Sequence, residues 1–137
     1  MNAELILWPM VVQMLLTLLI FIPLTKRKFK AKREGADLSK TALNNSAWPD
    51  DVLKVSNNLQ NQFQLPVLFY ALCLTFFVTN GVSELVLGLA CFFVLTRLIH
   101  SYVHITSNYV PHRMRIFILG YLALLVMVIL LITQLVF

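Results

Sequence analysis

The chain has 137 residues, of which 59% are apolar and only 12% are charged, with a formal net charge of +5. Soluble domains carry roughly 25% charged residues, and small ones bury only about two-thirds of the surface they expose when unfolded. An ordinary soluble domain and a disordered tail are therefore excluded, and so is a nucleic-acid binder once the charges are sorted by position.

The first apolar stretch covers residues 5–24, 20 residues without a formal charge. At 1.5 Å per residue that is enough to cross a bilayer core of about 30 Å. No basic segment precedes it and no small-residue cleavage site follows. It is expected to be a retained span and not a signal peptide. Apolar stretches recur at 63–78, at 85–103 (interrupted by Arg97 and His100) and at 116–137, where Gln134 is the polar exception. With their helix-compatible flanks, the spans are expected at about 4–25, 58–79, 83–105 and 112–136. The expected fold is an all-α integral membrane protein, a four-helix transmembrane bundle forming one domain over 1–137.

Between spans one and two, 26–48 is expected to be a loop that opens with Lys26-Arg27-Lys28-Phe29-Lys30-Ala31-Lys32-Arg33. Trp48-Pro49-Asp50-Asp51 resembles a helix start, since proline is tolerated in a first turn and acids favour the positive end of the helix dipole. Helix two should begin there, outside the membrane. Pro66 should kink it and free a carbonyl near Gln62. Gly81 should break the chain before helix three, and Pro111 should open helix four. Cys73 and Cys91 lie in apolar runs and are expected to behave as small hydrophobes.

All 11 Lys and Arg residues fall within 26–54 or at Arg97, Arg113 and Arg115. Four spans put these on one side, cytoplasmic by the positive-inside rule, with both termini and the Asn80–Gly81 turn outside beside Glu4 and Glu84. The basic run orients the protein and suits anionic membrane lipids, at ~1 kcal/mol per basic residue near the surface.

Ionisable groups at membrane depth cost at least ~2.5–3.5 kcal/mol, so they face partners or wet cavities. Three polar clusters qualify. Asn57, Asn61 and Gln64 are spaced i, i+4, i+7 and should form one strip on helix two. Arg97, His100 and His104 share a face of helix three. For Arg97, helix-end carbonyls, Asp50 or Asp51, and a bound anion are all open as partners. On helix four, Arg113 shares a face with Phe117 and Gly120, while Arg115 should point to headgroups. His100 and His104 have a chelating spacing, but no third ligand or acidic base accompanies them, so no metal site is expected.

These residues resemble the pattern of the MAPEG family, the membrane-associated proteins of eicosanoid and glutathione metabolism. The similarity rests on Asn61-Gln62-Phe63-Gln64-Leu65-Pro66, on Arg97-Leu98-Ile99-His100 and on Asn108…Pro111-His112-Arg113. The resemblance implies a homotrimer that binds glutathione between protomers near the cytoplasmic side. It implies that Asn61 and Gln64 contact the γ-glutamyl end, that Arg97 and His100 form an Arg-x-x-His pair, and that Arg113 holds the thiolate. A basic residue at the end of helix one, Lys26 or Arg27, would meet a glutathione carboxylate. It further implies a lipophilic second substrate and, for a short bacterial-type member, residence in the inner membrane. Three positions depart from the pattern: Gln64 replaces a glutamate, His104 a tyrosine and Asn57 an arginine.

Two other functions compete. A non-catalytic module could hold a lipid or another anionic small molecule in the same cavity, an idea to which Gln64 lends support. A small multidrug exporter needs a membrane-embedded acid, whereas the polar group deep in helix one is Gln13.

Overall fold

The computed structural model describes residues 2–136. Six α-helices follow one another: α1 (Leu7–Arg33), α2 (Leu38–Leu43), α3 (Asp50–Asn61), α4 (Leu65–Val78), α5 (Glu84–Ile105) and α6 (Val110–Val136). Helices long and apolar enough to cross a membrane cover Ala3–Arg33, Asp50–Val78, Glu84–Ile105 and Val110–Val136, the second composed of α3 and α4. Among the described residues the chain is all-helical, a multi-pass membrane bundle as expected.

Helix α1 corrects one boundary. The stretch 26–33, expected in a loop, continues the helix to Arg33. Lysine and arginine are good helix formers, and Lys30, Lys32 and Arg33 in the last turn face the negative end of the dipole. The stop comes at Gly35, with φ +94°. There the Ala36 N–H donates to the Ala31 carbonyl at 3.0 Å and the Gly35 N–H to that of Lys32 at 3.2 Å, the paired closure of a glycine-terminated helix. The true connector is 34–49, with α2 inside it. Asp37 caps α2, and its carboxyl sits below the usual carboxylate range because the Ser39 hydroxyl and the Lys40 N–H bond to it.

The second correction is at Pro66. The proline does not kink a continuous helix; it opens a new one, in the first turn of α4. A proline has no N–H to donate, and its ring clashes with the carbonyl four residues back. Helix α3 therefore closes early, with Gln62 and Phe63 donating to Leu59 and Gln60 at 3.0 Å each, three residues back. Gln64 leaves helical geometry altogether, at φ −105°, ψ −106°.

The interior is stacked in three tiers. One apolar cluster joins Ile6 and Met10 to Phe69, Cys73, Phe93, Ala123 and Met127, among others. A smaller one at the basic end joins Ile20, Leu24 and Ala31 to Val52 and Val55. Between them lies a buried polar tier of Gln13, Asn58, Gln62, Arg97, His100, Ser101 and His104. Gln62 organises it. Its Oε1 accepts from Gln13 Nε2 at 2.9 Å, and its Nε2 donates to Ser101 Oγ at 3.1 Å and to the Asn58 carbonyl at 3.2 Å. Helices α1 and α5 are thereby bonded to the interruption between α3 and α4.

Candidate functional site

The break at 62–64 and the start of α6 make the site. Asn61 and Gln64 flank the interruption and line a hollow of about 230 Å³ with His100, Val110, Arg113, Met114 and Phe117. A second hollow of about 180 Å³, nearer the basic end, is lined by Asp50, Leu53, Lys54, Asn57, His104, Asn108 and Arg113. Arg113 borders both. Its position on the first turn of α6 lets the side chain reach back toward the end of α5.

What holds Arg113 is Asn108. The chain leaves α5 through Asn108 in the left-handed region, φ +53°, with its N–H donating to the Val103 carbonyl at 2.7 Å. Asparagine adopts this conformation more readily than most residues. That turn presents Asn108 Oδ1 to Arg113 Nη1, which donates to it. Arg113 Nε is buried without a partner, and Nη2 makes no hydrogen bond within the chain, so most of the guanidinium's donors are not used by the protein itself. No ion pair among the described residues involves Arg113 or Arg97.

The strip expected on helix two is interrupted. Asn57 and Asn61 stay one turn apart on α3, with exposed Asn57 lining the hollow at the mouth, while Gln64, beyond the break, lines the deep hollow beside Asn61. The face shared by Arg97, His100 and His104 is retained, and all three are buried. It divides by depth, His100 at the deep hollow and His104 at the mouth.

Arg97 lines neither hollow. Its Nη2 donates to the Asn61 carbonyl at 3.3 Å, so the partner is a helix-end carbonyl at the break between α3 and α4, and not Asp50 or Asp51. Its Nε and Nη1 have no partner within the chain. Arg27 also lines neither hollow. It donates to the carbonyls of Asp51 at 2.7 Å and Ile105 at 3.2 Å, tying α1 to the start of α3 and the end of α5. The ring centroids of His100 and His104 lie 5.6 Å apart, edge to face, and no group of three potential metal ligands occurs among the described residues.

Two residues of the site carried little signal in the sequence. Asp50 looked like a helix-start acid, yet it is the carboxylate lining the mouth. Asn108 was visible only as part of a motif; its capping geometry and its bond to Arg113 come from the fold.

Searches of curated proteins and of solved structures returned no match. The sequence does match the family model described as the MAPEG family, over residues 6–133. That match runs through all four spans and every residue lining the two hollows, so the chain belongs to the MAPEG family.

Proposed function

We propose that the protein is a glutathione-dependent membrane transferase or peroxidase acting on lipophilic electrophiles or lipid hydroperoxides. The carrying observation is Arg113, half-buried where two hollows meet, with Asn108 holding Nη1 and the rest of the guanidinium unpartnered within the chain. Family membership fits a glutathione-related membrane function broadly. The lining chemistry supports the finer reading. Glutathione carries two carboxylates, which suit arginine and amide donors. Its ammonium needs an acceptor, and with Gln64 in place of a glutamate, Asp50 at the mouth supplies the negative charge.

In this mechanism the Arg113 guanidinium faces the thiol sulfur and favours its ionised form, which is the nucleophile. Asn61, Gln64 and His100 orient the tripeptide. An apolar electrophile enters from the bilayer along Val110, Met114 and Phe117. The thiolate then forms a carbon–sulfur bond as the leaving group departs. With a hydroperoxide, the sulfur attacks the terminal oxygen and the O–O bond breaks. The alkoxide takes a proton, and a second glutathione converts the sulfenic acid to disulfide and water.

A hollow of 230 Å³ is smaller than the roughly 300–1,000 Å³ of most ligand sites. This supports a site completed by a neighbouring protomer in a homotrimer, toward which Arg97 retains two donors, Nε and Nη1, without a partner in its own chain. The distribution of basic residues supports a cytoplasmic location for the mouth. For a short member of the family, the bacterial inner membrane is the proposed residence.

Titrating purified protein with glutathione should produce the ultraviolet thiolate band at a pH below the roughly 8.5 of a free thiol. Absence of both the band and calorimetric binding at millimolar glutathione would sink the reading. Gln64 favours one rival, a non-catalytic module. It predicts no thiolate band and a lipid or other anion retained in native mass spectra.

Asn108→Gly offers a finer test, because glycine keeps the left-handed backbone and removes only the acceptor. The expected result is about a tenfold drop in kcat/KM, the value of one hydrogen bond to a charged group. An unchanged kcat/KM would show that Arg113 needs no such anchor.

A further inference from the structure

A second built pocket lies away from the glutathione site, on the outer flank of the basic end of α1. The connector 34–49 folds back against α1 and encloses a groove of about 240 Å³, lined by Thr25, Lys28, Phe29, Lys32, Leu38 and Trp48. The four α1 residues are spaced i, i+3, i+4, i+7 and so share one face. Trp48 packs beside the small apolar cluster under α1, which holds one wall in place. The Lys28 ammonium sits over that indole ring, 5.1 Å from its centroid, and Lys28 is half-buried. The ring thus holds a normally mobile cation in position.

Charge in the groove is uncompensated. The ion pairs of the described residues are Lys30–Glu34 at 3.8 Å and Lys40–Asp37 at 3.6 Å. Both involve neighbouring lysines, and neither takes Lys28 or Lys32. Against this, the floor is apolar, and Phe29 and Leu38 are 62% and 44% exposed. Two cations above an apolar floor suit a ligand with an anionic head and a hydrocarbon body.

Depth identifies that ligand. Thr25 is the last residue of the uncharged stretch of α1, at the hydrocarbon edge. Lys28 and Lys32 follow about 4.5 and 10 Å further along the axis. The headgroup layer is about 5–7 Å thick on each side, and lysine stems bend to bring ammonium groups to the level they require. The groove therefore runs from acyl-chain depth to phosphate depth.

We propose that Lys28, Lys32 and Trp48 form a specific site for an anionic phospholipid, with the phosphate between the two ammonium groups and the first acyl methylenes on Phe29 and Leu38. The bound lipid joins the end of α1 to the connector that leads into α3, and so reaches the element carrying Asp50 and Asn57. This site is independent of glutathione chemistry.

The test uses full-length protein with Trp8→Phe, which leaves Trp48 as the only tryptophan. Trp8 lies at the opposite end of α1 and is 68% exposed. The protein is placed in phosphatidylcholine nanodiscs containing acyl-brominated phosphatidylglycerol or, separately, acyl-brominated phosphatidylcholine, and Trp48 quenching is measured. Quenching by the anionic lipid should be half-complete at roughly a thirtyfold lower mole fraction, given two basic groups near the surface. Lys28→Gln with Lys32→Gln should abolish that preference, while Lys28→Arg with Lys32→Arg should keep it, which separates charge from fold. Equal quenching by the two lipids overturns the proposal without recourse to any lysine variant. Displacement of the brominated lipid by millimolar inorganic phosphate also overturns it, assigning the groove to a soluble anion.

Discussion

Replacing Arg113 by alanine is expected to lower kcat/KM for glutathione conjugation roughly a hundredfold to a thousandfold, the usual cost of removing a preorganised group that stabilises developing charge. The reason is local. Arg113 is the cation bordering both hollows, and Asn108 fixes one end of its guanidinium while Nε remains free. Without it, the pH at which bound glutathione ionises should rise by about 1–3 units, the shift typical of losing an opposite charge at close range. The sign is upward because the thiolate loses its partner while the neutral thiol loses little. Arg113→Lys should recover part of the loss, since the charge returns but the planar fork does not. The helical fold should be unaffected, because Arg113 makes no bond within the tier that joins α1, α3 and α5. Thiolate absorbance against pH, with size-exclusion chromatography beside it, measures both. An unchanged ionisation profile in Arg113→Ala would remove the arginine from the chemistry.

The largest structural effect is expected at Gln62. Its amide is 1% exposed and is bonded to Gln13, Ser101 and Asn58. Gln62→Leu would leave the Gln13 and Ser101 side chains buried with fewer partners. Each buried polar group so stranded costs about 1–3 kcal/mol in soluble proteins and nearer 0.6–2 in membrane bundles. A loss of about 2–3 kcal/mol follows, read as a lower unfolding midpoint in a mild denaturing detergent. The break at Gln64 should also lose its anchor, so glutathione affinity should fall together with stability. The double variant Gln13→Leu with Gln62→Leu separates the causes. Replacing both partners by apolar groups is often nearly neutral. The double variant should therefore be more stable than Gln62→Leu alone; if it is less stable, the cost lies in packing and not in stranded amides.

Much of this architecture was legible in the sequence because a bilayer simplifies the code. Continuous apolar runs must be spans, and the few charges must sit at their ends or face one another. Four spans follow from that alone, and the start of helix two at Asp50 and of α6 beside Pro111 follow from prolines and acids placed as helix-start signals. The family is likewise carried by short motifs, of which Asn61, Gln64, His100, Asn108 and Arg113 line the hollows while Arg97 does not. Less was legible where a residue has two physically acceptable roles. The basic run 26–33 serves equally as loop or helix. Its helicity depends on Gly35 ending α1 and on Ala31 packing against Val52 and Val55. Proline 66 is compatible with a kink or a new helix. The choice falls to Gln62, whose bonds to α1 and α5 stabilise the interruption.

The sequence by itself determined the membrane class, the spans and the set of polar residues admitted to membrane depth, since these depend on local composition and helical period. Only the tertiary structure decided how that set divides. Arg97 spends a donor on the Asn61 carbonyl and Arg27 on those of Asp51 and Ile105, while Arg113, anchored by Asn108, borders the open hollows. The physical reason is that carbonyl acceptors appear only where helices end, and the faces those ends present to one another are set by packing between segments distant in the chain.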